Sequence, residues 1–413
     1  MQNKGDFPGE LIEFDLLKKI VDRIVTQRLI NGRQNWVLNF VLHGGEVLLL
    51  GKKRLYEILE YITTTFKANG IAYSLGSQTN ATLLTEEIAM ILSKFEVSVG
   101  LSFDGIDGGN TSRTDIKQTV FENKFQILKD SRVNYGFLLV ANKTNVDNLD
   151  RTKEYLENLG LNVAPEGATE GVPIIQGYKI NYAEDMLTPG PESEIEITGQ
   201  EMFDKVWKPE LENFLKRGKT IEFHTKEMLA KSLIDILTVH LTEQKSGCGT
   251  KWCGAGLGMI AVEPDGEMDY CDRYSKKFDD VHMMHALDYD FLGINQLNRM
   301  THYNEMKAEL YTRYECDTCI ADYICDHGCE SFYRSKFGDY GIDTRIICDQ
   351  HIGFYQYVLA NLERFLAVYA TSGIRISTSD TLLEVKTSML ANTNWIVAIS
   401  DDRKHLSVTR RVP

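Results

Sequence analysis

Between residues 14 and 160 the apolar positions switch period in a regular way. Leu17, Ile20, Val21, Ile24 and Val25 recur at helical spacing over 14–30. Leu38–His43 is a short apolar run ending at Gly44-Gly45, which predicts a strand and a turn. Leu55, Ile58, Leu59 and Ile62 give the next helix face, Ile71–Leu75 a strand, and Glu86–Lys94 a helix. Val97–Phe103 alternates and is rich in β-branched residues, as a strand is. Asp115–Asp130 predicts a helix, Tyr135–Ala141 a strand, and Asn145–Leu159 a helix ending at Gly160. Strand and helix in turn imply parallel strands joined by right-handed crossovers, in an open sheet or a partial barrel. Ligands of such folds sit at the carboxyl ends of the strands.

The regularity stops after Leu161. Pro165, Gly167, Gly171 and Pro173 mark a loop, Tyr178–Tyr182 one more strand, and the acidic run 184–199 a linker or surface loop. Residues 200–240 read as two helices. Phe354, Tyr357, Val358, Asn361, Leu362, Phe365 and Leu366 mark a later helix. After Gly373 the chain is β-rich, at Leu382–Lys386, Trp395–Ile399 and Leu406–Val408.

Lysine and arginine number 45 against 59 acidic residues, a net charge of −14. That balance argues against nucleic acid or an anionic membrane as partner. No apolar run spans a bilayer, and Met1-Gln-Asn-Lys-Gly-Asp has no apolar core behind its lysine, so no secretory signal is read there. The expected compartment is a reducing cytoplasm, where clustered cysteines signify metal or redox chemistry rather than disulfides.

All eight cysteines lie between Cys248 and Cys348. Cys316, Cys319, Cys325 and Cys329 read C-x2-C-x5-C-x3-C, with Cys348 beyond; Cys248, Cys253 and Cys271 read C-x4-C-x17-C. Thiolate-rich sets hold zinc or iron–sulfur clusters. Two structural zincs are one reading, although only Cys316–Cys319 forms the C-x2-C pair that zinc sites usually carry twice.

The order Cys253, Gly266, Cys271, Cys316, Cys319, Cys325, Cys329 and Cys348 resembles the seven-cysteine signature of the SPASM domain. That domain follows the barrel of radical S-adenosylmethionine (SAM) enzymes that modify peptides. The N-terminal half fits the same family. His43-Gly44-Gly45-Glu46 resembles its GGE motif, whose glycines admit the methionyl ammonium of SAM and whose carboxylate suits that cation. Thr79-Asn80-Ala81-Thr82-Leu83-Leu84 resembles TNGTLL, and Ser102-Phe103-Asp104-Gly105 resembles SLDG. Arg113 falls where an HDxxR arginine falls, and Asn142-Lys143-Thr144-Asn145 resembles the loop after the fifth strand. The likeness covers roughly residues 10–350.

The resemblance implies an α/β fold: a partial (β/α) radical-SAM-type barrel missing its first strand, an irregular iron–sulfur SPASM domain, and a small C-terminal β-rich tail. The expected segments are 1–185 for the barrel, 186–246 for the acidic linker and helices, 247–350 for the SPASM domain, and 351–413 for the helix and tail. It also implies two [4Fe–4S] clusters, the first on Cys248, Cys253, Cys271 and Cys329, the second on Cys316, Cys319, Cys325 and Cys348. SAM would meet Gly44, Gly45, Glu46, Asn80, Ser102, Asp104 and Arg113. Asp272, directly after Cys271, stands where the anaerobic sulfatase-maturating enzymes have a proposed general base; a hydrogen-bonded loop carboxylate is the equally weighted reading. His43 is read as a strand-end residue bonded to a neighbour, and His282, His285, His302 and His327 as loop histidines. The implied partners are a peptide or protein substrate and a reductant of the flavodoxin or ferredoxin type.

One departure matters. The family's SAM-binding cluster uses C-x3-C-x2-C, and no cysteine precedes Cys248. The expectation is a peptide maturase, making formylglycine, a thioether or a carbon–carbon crosslink, that is shortened at its N-terminus and unable to cleave SAM as it stands. The alternatives are a non-catalytic [4Fe–4S] protein that binds a peptide or partner, and a zinc-stabilised binding protein.

Overall fold

The computed structural model describes residues 11–106, 118–161, 175–182, 195–218, 222–242, 259–271, 285–288, 308–309, 311–325, 345–377, 382–386 and 394–411. In chain order the elements are α1 (Phe14–Ile30), β1 (Leu38–Leu42), α2 (Gly51–Ala68), β2 (Tyr73–Thr79), α3 (Glu86–Lys94), β3 (Ser98–Ser102), α4 (Gln118–Asp130), β4 (Tyr135–Ala141), α5 (Leu149–Leu156) and β5 (Ile175–Tyr182). Then follow α6 (Gly199–Met202), α7 (Lys208–Arg217), α8 (Phe223–Leu237), β6 (Thr238–Thr242), β7 (Ala261–Val262), β8 (Met268–Asp269), α9 (Arg345–Ala360), α10 (Leu362–Ser372), β9 (Ile376–Ser377), β10 (Leu382–Val385), β11 (Trp395–Ile399) and β12 (His405–Arg410). No helix among the described residues is long and apolar enough to cross a membrane.

Contacts divide the chain into two units, Met1–Val140 with Asn148–Tyr178 and Ala255–His302, and Ala141–Asp147 with Lys179–Gly254 and Tyr303–Pro413. The first unit carries the sheet, in order β1-β2-β3-β4-β5, with β1 through β4 paired parallel. The helices bury the faces their periodicity marks: Leu17, Ile20, Val21 and Val25 on α1, and Leu55, Ile58, Leu59, Ile62 and Phe66 on α2. Thr85 starts α3 by accepting the Ile88 N–H, with Glu86 and Glu87 in the positively polarised first turn. On β4 the alternate residues Tyr135, Phe137, Leu139 and Ala141 are buried. Phe103, just past β3, packs edge-on against Phe121, Phe125 and Phe137 at 5.5–6.0 Å. The β7–β8 hairpin lies on α1, where Met268 and Ala286 form a core cluster with Ile20.

In the second unit α6 opens with a capping box between Thr198 and Glu201. Trp207 meets His351 and Phe354 of α9 at 5.5 and 5.7 Å. Gly353 permits close approach of Phe203, whose ring would lie 2.9 Å from an added Cβ. The tail is antiparallel, in order β11-β12-β9, and β10 pairs with β6.

Several boundaries differ from expectation. β2 runs over 73–79 rather than 71–75. The second expected helix of 200–240 stops at Leu237, and Thr238–Thr242 is a strand. Asn361 splits the expected late helix into α9 and α10, and Ile376–Ser377 is an additional short strand.

Candidate functional site

The carboxyl ends of β1, β2 and β3 carry a connected set of polar side chains. His43 Nε2 lies 3.0 Å from Gln78 Oε1, and Gln78 Nε2 donates to Ser102 Oγ at 3.3 Å. The seam thus runs strand to strand, linking a histidine of the expected motif to a serine of another through Gln78, which belongs to neither motif. Beyond it, the buried Asp104 accepts the Val140 N–H at 2.9 Å, tying the end of β3 to β4. Thr152 braces the next residues by accepting the Ile106 N–H at 3.2 Å. Gly105 has φ +117°, and a Cβ there would come within 2.7 Å of Thr152 Oγ1.

Glu46 is the hinge of this region. Its Oε1 accepts the Leu48 N–H at 3.0 Å and the Thr79 hydroxyl at 2.6 Å; its Oε2 accepts the Asn80 N–H at 3.0 Å. Three of about four carboxylate acceptor positions are thereby engaged by the protein. Just before it, Gly44 has φ +146°, and nothing lies within 4 Å of where a Cβ would stand at Gly44 or Gly45. The glycines leave open space beside the strand end, while the carboxylate is turned toward the chain. Asn80 Oδ1 accepts the Thr82 N–H at 2.9 Å, and Ala81 holds φ +59°, where the family motif has glycine. Asn142 braces the following turn, its Oδ1 accepting the N–H groups of Thr144 and Asn145.

Five cysteines are described, all as thiols: Cys271, Cys316, Cys319, Cys325 and Cys348. Cys271 follows β8 and is buried. Gly266 makes its hairpin possible, with φ +87° and a would-be Cβ only 2.4 Å from His285 Nε2. The His285 ring is held there, its Nδ1 accepting the Leu287 N–H and its Nε2 3.2 Å from Asp265 O.

The other four are the complete second set expected from the sequence, and all belong to the second unit. Cys316 and Cys325 are buried, Cys319 and Cys348 half-buried. Cys319 Sγ accepts the Ala321 N–H at 3.4 Å, and Cys325 N–H returns to Ala321 O at 2.9 Å. Burial, with the neighbouring Cys348 and Cys319, pushes the Cys316 thiol up to about 11. A thiol so placed is awkward as an isolated group and well placed as a ligand to a cation, which binds the thiolate directly. Among the described residues no group of three or more His, Cys, Asp and Glu side chains closes on one point as a single metal ion requires. A cubane asks for no such convergence, because each thiolate binds a different iron. The donor set fits a cluster on these grounds. No cysteine lies between residues 1 and 247.

Behind the set lies Asp235 of α8. It accepts the Tyr355 hydroxyl and stands 3.5 Å from His240 Nε2. Burial raises the Asp235 carboxyl, but His240, Tyr355 and the charge of Lys386 outweigh it and hold the group below its ordinary value. These residues come from distant stretches and carried no sequence signal. Cys248, Cys253, Cys329, Arg113 and Asp272 lie outside the described residues.

No protein-family profile matches the chain. A serine-type anaerobic sulfatase-maturating enzyme of Klebsiella aerogenes is 21% identical over 362 residues, covering 84% of this chain and 78% of the relative. A cysteine-type enzyme of Clostridium perfringens is 23% identical over 354 residues, covering 84% and 87%. Over most of its length this chain is similar to the anaerobic sulfatase-maturating enzymes. The structure of native anSMEcpe with bound AdoMet superposes at TM-score 0.66 with 19% identity, over 85% of this chain and 89% of that one. The anSMEcpe structure with AdoMet and the Kp18Cys peptide gives 0.65 at 18% identity, over 88% and 91%. The α/β architecture with its parallel strands is the sulfatase-maturase fold.

Proposed function

We propose that this chain belongs to a radical SAM/SPASM maturase acting on a peptide or protein side chain, and that it supplies the substrate-holding and electron-accepting part of that chemistry. The observation that carries the reading is the second cysteine set: four thiols in one unit, buried or half-buried, with Cys316 pushed up by burial and by the neighbouring Cys348 and Cys319. Cys316, Cys319, Cys325 and Cys348 would hold one [4Fe–4S] cluster, and Cys248, Cys253, Cys271 and Cys329 a second. When bound, such clusters would accept an electron from the substrate as it is oxidised. Gly44 and Gly45 leave room for the methionyl end of AdoMet beside β1, while Glu46 fixes the loop that lines it. Asn80, Ser102, Asp104 and Arg113 complete the proposed pocket. Asp272 is proposed to accept a proton from the substrate. The substrate class comes from the homologues, which mature sulfatases, and a low-potential reductant of the flavodoxin or ferredoxin type would serve the reaction.

A second reading is that the protein binds a peptide or partner through its clusters without cleaving AdoMet. Anaerobic reconstitution followed by incubation with AdoMet, dithionite and a sulfatase-derived peptide separates the two. Peptide oxidation with release of 5′-deoxyadenosine supports the catalytic reading. Peptide binding without release supports the second. A reconstituted protein that holds zinc and no iron overturns both.

A further inference from the structure

Two contacts meet at His240, on β6. Its ring stacks on that of Tyr323, with centroids 3.9 Å apart and planes 18° from parallel. Tyr323 belongs to the five-residue loop between Cys319 and Cys325. On the other side His240 Nε2 lies 3.5 Å from Asp235 Oδ1, and Asp235 Oδ2 accepts the hydroxyl of Tyr355. Tyr355 is two turns along α9 from Cys348, on the same helix face. One carboxylate therefore reaches both parts of the thiol set, the loop through His240 and the helix through Tyr355.

The arrangement is not needed to build the surrounding sheet. β6 and β10 pair through backbone groups, with His240 opposite Leu383. Asp235 is anchored by its own backbone, whose carbonyl accepts Lys386 Nζ at 2.6 Å. Both ring nitrogens of His240 are buried without a well-formed hydrogen bond. A buried polar ring in that state costs stability, and a leucine would fill the space more cheaply. What the imidazole retains is a flat, polarisable face against Tyr323 and a charge-facing edge toward Asp235. Hydrogen bonding, burial and loop geometry around ligating sulfurs are the features that set the properties of an iron–sulfur cluster.

We propose that His240 is a positioning residue, clamping the Cys319–Cys325 loop through its stack on Tyr323 while Asp235 registers that loop against the helix bearing Cys348. The proposal rests on the reading of Cys316, Cys319, Cys325 and Cys348 as a cluster set. It concerns the geometry at the cluster and leaves the identity of the substrate open.

The test uses the full chain, reconstituted anaerobically, with iron content, the EPR spectrum of the reduced protein and midpoint potentials as readouts. His240→Ala is expected to retain iron close to the parent level while changing the EPR signature and displacing the potential of one cluster. His240→Phe, which restores a flat ring, is expected to return both toward the parent. Should His240→Ala unfold, Tyr323→Leu removes the stack from the loop side and carries the same test. An unchanged spectrum and potential in the loaded alanine or leucine variant overturns the clamp. A parent protein that takes up no iron overturns the cluster reading itself, a failure visible before any variant is made.

Discussion

The hydroxyl of Thr79 donates to Glu46 Oε1 at 2.6 Å, so the last residue of β2 is fastened to the turn that leaves β1. The same carboxylate takes the N–H groups of Leu48 and Asn80. Replacing Glu46 by alanine leaves those donors without their acceptor, and each half-buried donor so stranded costs about 1 kcal/mol. Glu46→Ala is expected to lower unfolding free energy by about 2–3 kcal/mol, read as a reduced midpoint in urea. Glu46→Gln keeps one acceptor oxygen and is expected to lose less than half as much.

Gly266 and His285 make a second such pair. A side chain at Gly266 meets both a left-handed backbone at φ +87° and the imidazole 2.4 Å away. Gly266→Ala is expected to cost about 2 kcal/mol, combining backbone strain with the displaced ring. Adding His285→Ala relieves the clash and leaves the strain, so the double variant is expected to be more stable than additivity gives. Chemical denaturation of the four proteins measures the difference.

Alkaline stability follows from Tyr135, whose hydroxyl burial pushes up from 10.0 to about 12. The neutral form is favoured in the folded state. The contribution is whole below pH 10 and declines as the unfolded chain ionises, until about pH 12. Burial likewise raises Tyr355, Tyr311 and Tyr369, so the decline is steep. Thermal unfolding is expected to shift downward above pH 10. In Tyr135→Phe that alkaline slope is expected to be shallower, while Tm near neutrality changes little.

Cys348 sits on a helix, apart in sequence from the loop that carries the other three thiols of its set. Cys348→Ala is expected to reduce iron from about eight to about four per chain, because the two clusters load on separate ligand sets. The assay is iron and sulfide content after gel filtration. A zinc-loaded protein would show neither element in those amounts.

The sequence made some of this plain. α3, β4 and β11 fall where periodicity and composition placed them, because each has a face of large apolar residues and a clear start or stop. β2 was harder to bound. Its inward residues are Leu75, Ser77 and Thr79, two of them small and polar, so the hydrophobic pattern fades toward the end that carries the site. Strand β6 was hidden for a different reason. Thr238–Thr242 becomes a strand by pairing with Leu382–Val385, and no local window contains that partner. The cysteine spacing named its chemistry directly. The residues that brace it did not, since Asp235, His240, Tyr323 and Tyr355 meet only after folding.

The pairing of β6 with β10 has a consequence for assembly. Every cysteine of the chain lies between these two strands in sequence, so their hydrogen-bonded pairing closes a non-covalent loop of chain that includes them all. The first strand leaves the ribosome long before the second, and the loop closes only when the tail has been synthesised. Closure of so long a segment is slow and carries an entropic cost that the finished pairing must offset. A nascent chain halted near Gly373 holds all its cysteines and lacks β10, the strand that pairs with β6.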